Sequence, residues 1–267
     1  MGKFKLFERV SGLIIREHDI AFVMIEQNHH AHISAAMMEK WQDSLFDSDP
    51  LYTSVLFAIE QHDCGWRFFD EQPFWNDAIQ APYDFTNFPV APKTVLYTKG
   101  IDEVEKHDAY AAALCSAHYH KFMENNDNEV AKEFIKQEAN RRSRTMATMD
   151  HESLRNFDKH LALLQFADNI SLYMCLNEPG VDKEKEHFFF KNGIPVSNIL
   201  QDSLSDVVHA EWRGEQMIAL EGLPSIPPFS VTLQQKFIKK QDMHDHGLLE
   251  AYRKDPYMKN KIQFQVL

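Results

Sequence analysis

Apolar residues along this chain first alternate and then recur at helical spacing, with the change of period falling near His30. Leu13 to Ile15 and Ile20 to Ile25 flank a polar turn at Glu17, His18 and Asp19, which predicts a β-hairpin. From there the period predicts helices over 31–45, 51–64, 108–124, 129–147 and 151–176. Asp108 suits the N-cap of the third, and the cluster from Asn125 to Asp127 separates it from the fourth. Beyond Pro179, the punctuation of Gly193-Ile194-Pro195, Arg213-Gly214-Glu215 and Pro224 to Pro228 bounds short alternating runs, among them Val231, Leu233 and Phe237, which read as strands. The expected architecture is mainly α: one domain over 1–267, with a helical core at 28–178. The remainder, 1–27 and 179–267, forms a β-rich appendage whose N-terminal hairpin and C-terminal strands make a small sheet.

Several polar residues break the apolar stripes. Asp168 shares a helix face with Leu161, Leu164, Leu172 and Cys175; His62 with Val55, Ile59 and Trp66; His118 with Ala111, Leu114 and Cys115. His30 precedes Ile33, Met37 and Trp41 at the same period, which selects it from the His29-His30-Ala31-His32 cluster. A buried charge persists only when paired, hydrogen-bonded or bound to a metal, so helices that each turn a His or Asp inward point to one shared metal centre. His120, two residues past His118, points away from it, while His151 and His160 remain further candidate ligands. Cys64 and Cys115 read as small buried thiols. Glu138 lies one turn before Arg142, so Arg141, Arg142 and Arg144 read as an ion-paired helix face rather than a phosphate clamp. Between Trp66 and Leu96 a proline-punctuated segment carries Phe74, Trp75, Tyr83, Phe85 and Phe88, which suits either a lid over the site or an extension of the core.

The 267 residues are enough to bury a sizeable core, and a formal net charge of −12 argues against nucleic acid as the main partner. No apolar run is long enough for a bilayer, and Met1 to Val10 shows no signal-peptide core. Three widely spaced cysteines without a Cys-x-x-Cys pair suit a reducing, cytoplasmic setting. The partner expected is a small-molecule substrate, phosphorylated in the leading reading, with no nucleic acid and no membrane; a homo-oligomer stays open.

Four His-Asp dipeptides occur, at 18–19, 62–63, 107–108 and 244–245, so the dipeptide alone says little. Only His62-Asp63 ends an amphipathic helix with its His on the apolar face; the fourth falls in a polar tail. In order along the chain, His30, His62-Asp63 and Asp168 resemble the HD-domain superfamily of metal-dependent phosphohydrolases over residues 28–178. The chain is more closely similar to an uncharacterised bacterial family related to that superfamily. The residues that carry this likeness are Gln27-x-x-His30-Ala31, His62-Asp63-x-Gly65-Trp66 with Asp70 and Pro73, Ser116-x-His118, and Leu164-Gln165-x-x-Asp168-x-x-Ser171-Leu172. The resemblance implies an HD-like five-helix core and a metal at those residues, the family's activity being unknown.

The leading expectation is metal-assisted hydrolysis of a phosphoester in a small metabolite or nucleotide. His30, His62, Asp63, His118 and Asp168 would hold a divalent iron, manganese, zinc or magnesium, with Asp63, His118 and Arg67 taking part in the chemistry. An HD-fold di-iron oxygenase and a non-catalytic binding module with a structural metal are the alternatives. Trp66 or Arg67 is expected to line the cleft beside the metal, because both follow the His-Asp pair within one helical turn.

Overall fold

A computed structural model of the chain describes residues 13–46, 49–201 and 203–267; the expectation for Met1 to Val10 lies outside them. The N-terminal hairpin forms as β1 (Ile14–Glu17) and β2 (Ala21–Ile25). The helical core follows as α1 (Gln27–Met38), α2 (Tyr52–Gln61), a short α3 (Arg67–Glu71), α4 (Val90–Glu105), α5 (Ala109–Met123), α6 (Glu129–Met146) and α7 (His151–Leu176). A two-stranded ribbon, β3 (Trp75–Asn76) with β4 (Ala81–Pro82), lies between α3 and α4. Asp108 caps α5 by accepting from Ala111 N at 2.9 Å, and Asn128 caps α6 through Val130 N.

The second half adds β5 (Ile194–Pro195), β6 (Val207–Trp212), β7 (Met217–Glu221), β8 (Phe229–Lys239), α8 (Lys240–His246), α9 (Leu248–Lys254) and β9 (Met258–Val266). These strands correct the expected mainly α architecture with a small sheet, because helices share the fold with one large sheet. A seven-stranded, curled mixed sheet runs in the order β1-β2-β8-β9-β7-β6-β5, antiparallel except where β7 meets β9. Two features hid its size. Strand β8 is long enough to pair twice, through Phe229–Gln235 with β9 and through Lys236–Lys239 with β2. Strand β9 looks polar because Lys259, Lys261 and Gln263 alternate with Ile262 and Phe264, both fully buried, yet it sits in the middle of the sheet. The expected polar tail around His244-Asp245 is likewise helix α8.

The segment after Trp66 is also more ordered than expected. Helix α4 escapes a sequence reading because Pro92 falls inside it, but a proline is tolerated in the first turn, where its missing N–H costs no helical hydrogen bond. Trp66, Phe85 and Phe88 are buried, and Trp66 meets Phe69, Phe88 and Tyr97 edge to face. These rings extend the core. Burying each side chain of this size contributes about 1.5–3 kcal/mol. One apolar cluster joins Trp41 and Val55 on the helical side to Trp212 and Phe264 of the sheet. Among the described residues no helix is long and apolar enough to cross a membrane.

Candidate metal centre

Four helices deliver the expected residues to one buried point. His30 comes from α1, His62 from the C-cap of α2 with Asp63 next to it, His118 from α5 and Asp168 from α7; all five are at most 6 % exposed. His30 Nε2 lies 3.0 Å from Asp168 Oδ1 and 3.8 Å from Asp63 Oδ2. His62 Nε2 lies 3.7 Å from the same Asp168 oxygen and 3.6 Å from Asp63 Oδ2. His118 Nε2 stands on the other side of Asp168, 3.9 Å from Oδ2. His30, His62 and Asp168 form the one group of three such side chains, among the described residues, whose ligand atoms lie within 4.8 Å of one another. Two ligands held at about 2.1 Å on a tetrahedral ion are about 3.4 Å apart, a spacing the observed distances bracket.

The surroundings orient the ligand atoms. His62 Nδ1 donates to Ile59 O at 2.7 Å, which turns Nε2 toward the centre, where that atom is buried without a hydrogen-bond partner. Two carboxylates face it at 3.6 and 3.7 Å, beyond hydrogen-bond length and at a spacing that suits ligands of a shared ion. His30 Nδ1 lies 2.5 Å from Ser171 Oγ, which donates to Asp168 O and contacts Ser34 Oγ, fixing the ring for coordination through Nε2. The Tyr119 hydroxyl donates to the His62 carbonyl and reaches Asp63 Oδ1 at 3.1 Å, leaving Oδ2 to the imidazoles.

Charge follows the same geometry. Burial opposes a charged His62, but Asp63 and Asp168 outweigh it and raise its pKa to about 9. Burial likewise works against Asp168, yet His30, His62 and His118 hold its carboxyl well below the usual carboxylate range. Asp63 moves the other way, upward, because burial dominates and Asp168 adds repulsion. A cation entering the centre replaces imidazole protons as the partner of these carboxylates.

Gly65 and the buried Asp70 of the motif have structural work. A Cβ on Gly65 would stand 2.3 Å from Leu96 O, so the turn after Asp63 packs directly on the α4 backbone. Helix α1 lacks a side-chain cap of its own, and Asp70 supplies one from α3, accepting from Gln27 N and Asn28 N at 3.0 Å each. Sequence reasoning singled out Gln27, Asp70 and Ser171 without seeing these bonds, and it missed Ser34 and Tyr119; Ser34 lies one helical turn from His30, and Ser171 nearly one from Asp168.

Other candidates go elsewhere. His160 is buried between Tyr110 OH and Asp49 Oδ2, each at 2.7 Å, and is a core residue. His151 is exposed, and His120 accepts from Arg142 Nη2. Glu138 pairs with Arg141, not with Arg142, which donates to Ser116 instead. Cys64 and Cys115 are buried thiols that donate to Gly100 O and Ala58 O, and burial pushes Cys64 up to about 11. The small cavity against the centre, about 20 Å³, is walled by Gln27, Asp63, Phe85, Tyr97, His118 and Phe122, with Asp168 and Leu172. Trp66 and Arg67 are not in that wall, which corrects their expected place: Trp66 is core, and Arg67 is exposed, donating to Asn28 and Gln61.

No curated protein and no solved structure matches the chain. Residues 13–240 match the family described as a protein of unknown function (DUF3891); that span carries all five residues of the candidate centre, and the chain belongs to this family.

Proposed function

We propose that this protein is a metal-dependent hydrolase acting on a phosphoester of a small metabolite or nucleotide, a divergent relative of the HD-domain phosphohydrolases. The observation that carries the reading is the convergence of His30, His62, Asp63 and Asp168 around the unpartnered His62 Nε2. A bound divalent ion supplies a lowered water pKa and neutralises charge on the phosphoryl oxygens. His30, His62 and Asp168 hold the ion, with Asp63 beside them. Asp63 and His118 both border the cavity, so they sit where the substrate's reacting end must come. Asp63 Oδ2 takes the proton of the attacking water as its oxygen bonds to phosphorus. His118 Nε2 gives a proton to the leaving oxygen as the ester P–O bond breaks. Arg67 has no role in this scheme, since it lies outside the cavity wall.

The HD-fold di-iron oxygenase needs a second ligand-rich subsite, and on the Oδ2 side of Asp168 the set of expected ligands offers His118 alone. Elemental analysis of protein purified without added metal, followed by assay on bis(4-nitrophenyl) phosphate with manganese, zinc, magnesium or iron, tests the proposal. One divalent ion per chain and turnover lost in Asp168→Asn are expected. Two irons with dioxygen consumption, or a full metal complement with no turnover of any phosphoester, would overturn it.

A further inference from the structure

The cavity at the metal centre holds about 20 Å³, room for an ion or a water and not for an organic substrate. A second cleft, of about 510 Å³, lies on the other side of Phe85, the one residue that borders both. Helix α7 runs along the pair: Asp168 and Leu172 face the metal cavity, and Leu176, one turn on, faces the cleft. The two hollows share Phe85 as a common wall.

The cleft is built, not incidental. Asn177 at the end of α7 accepts from His187 N at 2.6 Å and donates to Tyr173 O at 2.8 Å, tying the His187–Phe190 run to the helix. Nearby, Glu186 accepts from Tyr173 OH and Lys183 Nζ, both at 2.6 Å, which holds the start of that run. Phe188 and Phe189, their centroids 4.5 Å apart, line the cleft together with Ile15, Phe85 and Val181. Phe188 is 60 % exposed, a large aromatic on a cleft whose lining mixes apolar and charged side chains. The charged groups of the lining have partners: Arg16, its buried cation, with Glu178, Glu17 with Lys240, the exposed Lys185 with Asp182, and Asp84 with the backbone of Thr86 and Asn87.

We propose that this cleft binds an uncharged ring of the substrate, an aryl or nucleobase-like group stacked on Phe188 and Phe189, while Phe85 is the partition that moves aside to let the anionic end reach the metal. The inference deepens the function proposed above by naming the chemistry of the part of the substrate that does not react. It rests on that reading for the metal, so its test is independent of turnover.

The probe is 4-fluorophenol, which has the ring and no ester to hydrolyse, observed by fluorine NMR with the full chain. Saturable binding is expected, weakened about two- to tenfold in Phe188→Ala, the range of a single aromatic contact, and abolished in Lys185→Trp, which fills the exposed rim. With manganese in the centre, confirmed by electron paramagnetic resonance, the bound probe's signal should broaden, and more so in Phe85→Ala. Circular dichroism checks that each variant folds; Phe188 and Lys185 are exposed, so their replacement leaves the core intact. Absence of binding, binding indifferent to both rim variants, or binding without broadening while manganese is bound overturns the proposal. Failure of manganese to bind counts against the metal reading alone, and the two rim variants then decide the cleft by themselves.

Discussion

His30 Nε2 and Asp168 Oδ1 are 3.0 Å apart in space and 138 residues apart in sequence, and around that contact α1 is joined to α7. The contact links the candidate metal to stability. Without an ion, Asp63 and Asp168 share a buried pocket and rely on imidazole protons; with one, the repulsion between them is relieved. An ion that binds only the folded chain should add about 2.7 kcal/mol at a hundred times its dissociation constant. Chelation should lower the melting temperature, and Asp168→Asn should erase most of the metal-dependent difference. Unchanged melting after metal removal verified by elemental analysis would count against a metal-coupled core.

Ser171 touches no ion in this arrangement but sets the ring of His30. Its replacement by alanine removes the oxygen at His30 Nδ1 and the bond to Asp168 O. Metal affinity should fall about 10–100-fold, the usual effect of losing such a support. Titration with zinc or manganese against a competing chelator measures it, and an affinity equal to that of the unaltered protein would show that His30 is oriented by packing alone.

His160 should behave oppositely. Burial lowers the pKa of His160, so a neutral imidazole joins Asp49 to Tyr110, and His160→Ala leaves both without that hydrogen-bond partner, a loss of about 1–3 kcal/mol. Metal content per folded chain should not change. Urea unfolding and elemental analysis separate the two effects, and a drop in metal with stability intact would make His160 a ligand after all.

Gly65→Ala forces a methyl group against Leu96 O. The turn carrying His62 and Asp63 must move away from α4, costing about 1–3 kcal/mol as overpacking generally does. Weaker metal binding should accompany the lost stability, because the ligands themselves are displaced. Full metal affinity in a destabilised Gly65→Ala protein would mean that the turn yields without moving its side chains.

The sequence alone revealed which faces were buried and which residues interrupted them. His30, His62, His118 and Asp168 stood out because apolar residues at helical spacing put a titratable side chain where water is excluded, and a helix's period can be read locally. Asp108 was legible as a cap for the same local reason. What tertiary structure decided was everything that depends on a partner distant in the chain. The polar alternation of β9 acquires meaning only between β8 and β7, where both its neighbours are supplied by other segments. Asp70 stands in the sequence only as part of the motif, and its role as a cap exists once α3 brings it to the bare N-terminus of α1. Arg67, adjacent to the motif, faces solvent, while Phe85, some twenty residues further on, walls the candidate metal cavity, because the loop after β4 is tied to Leu13 and sets Phe85 beside Asp168 and Leu172. Local periodicity states that a side chain is buried; only the closed fold determines against what.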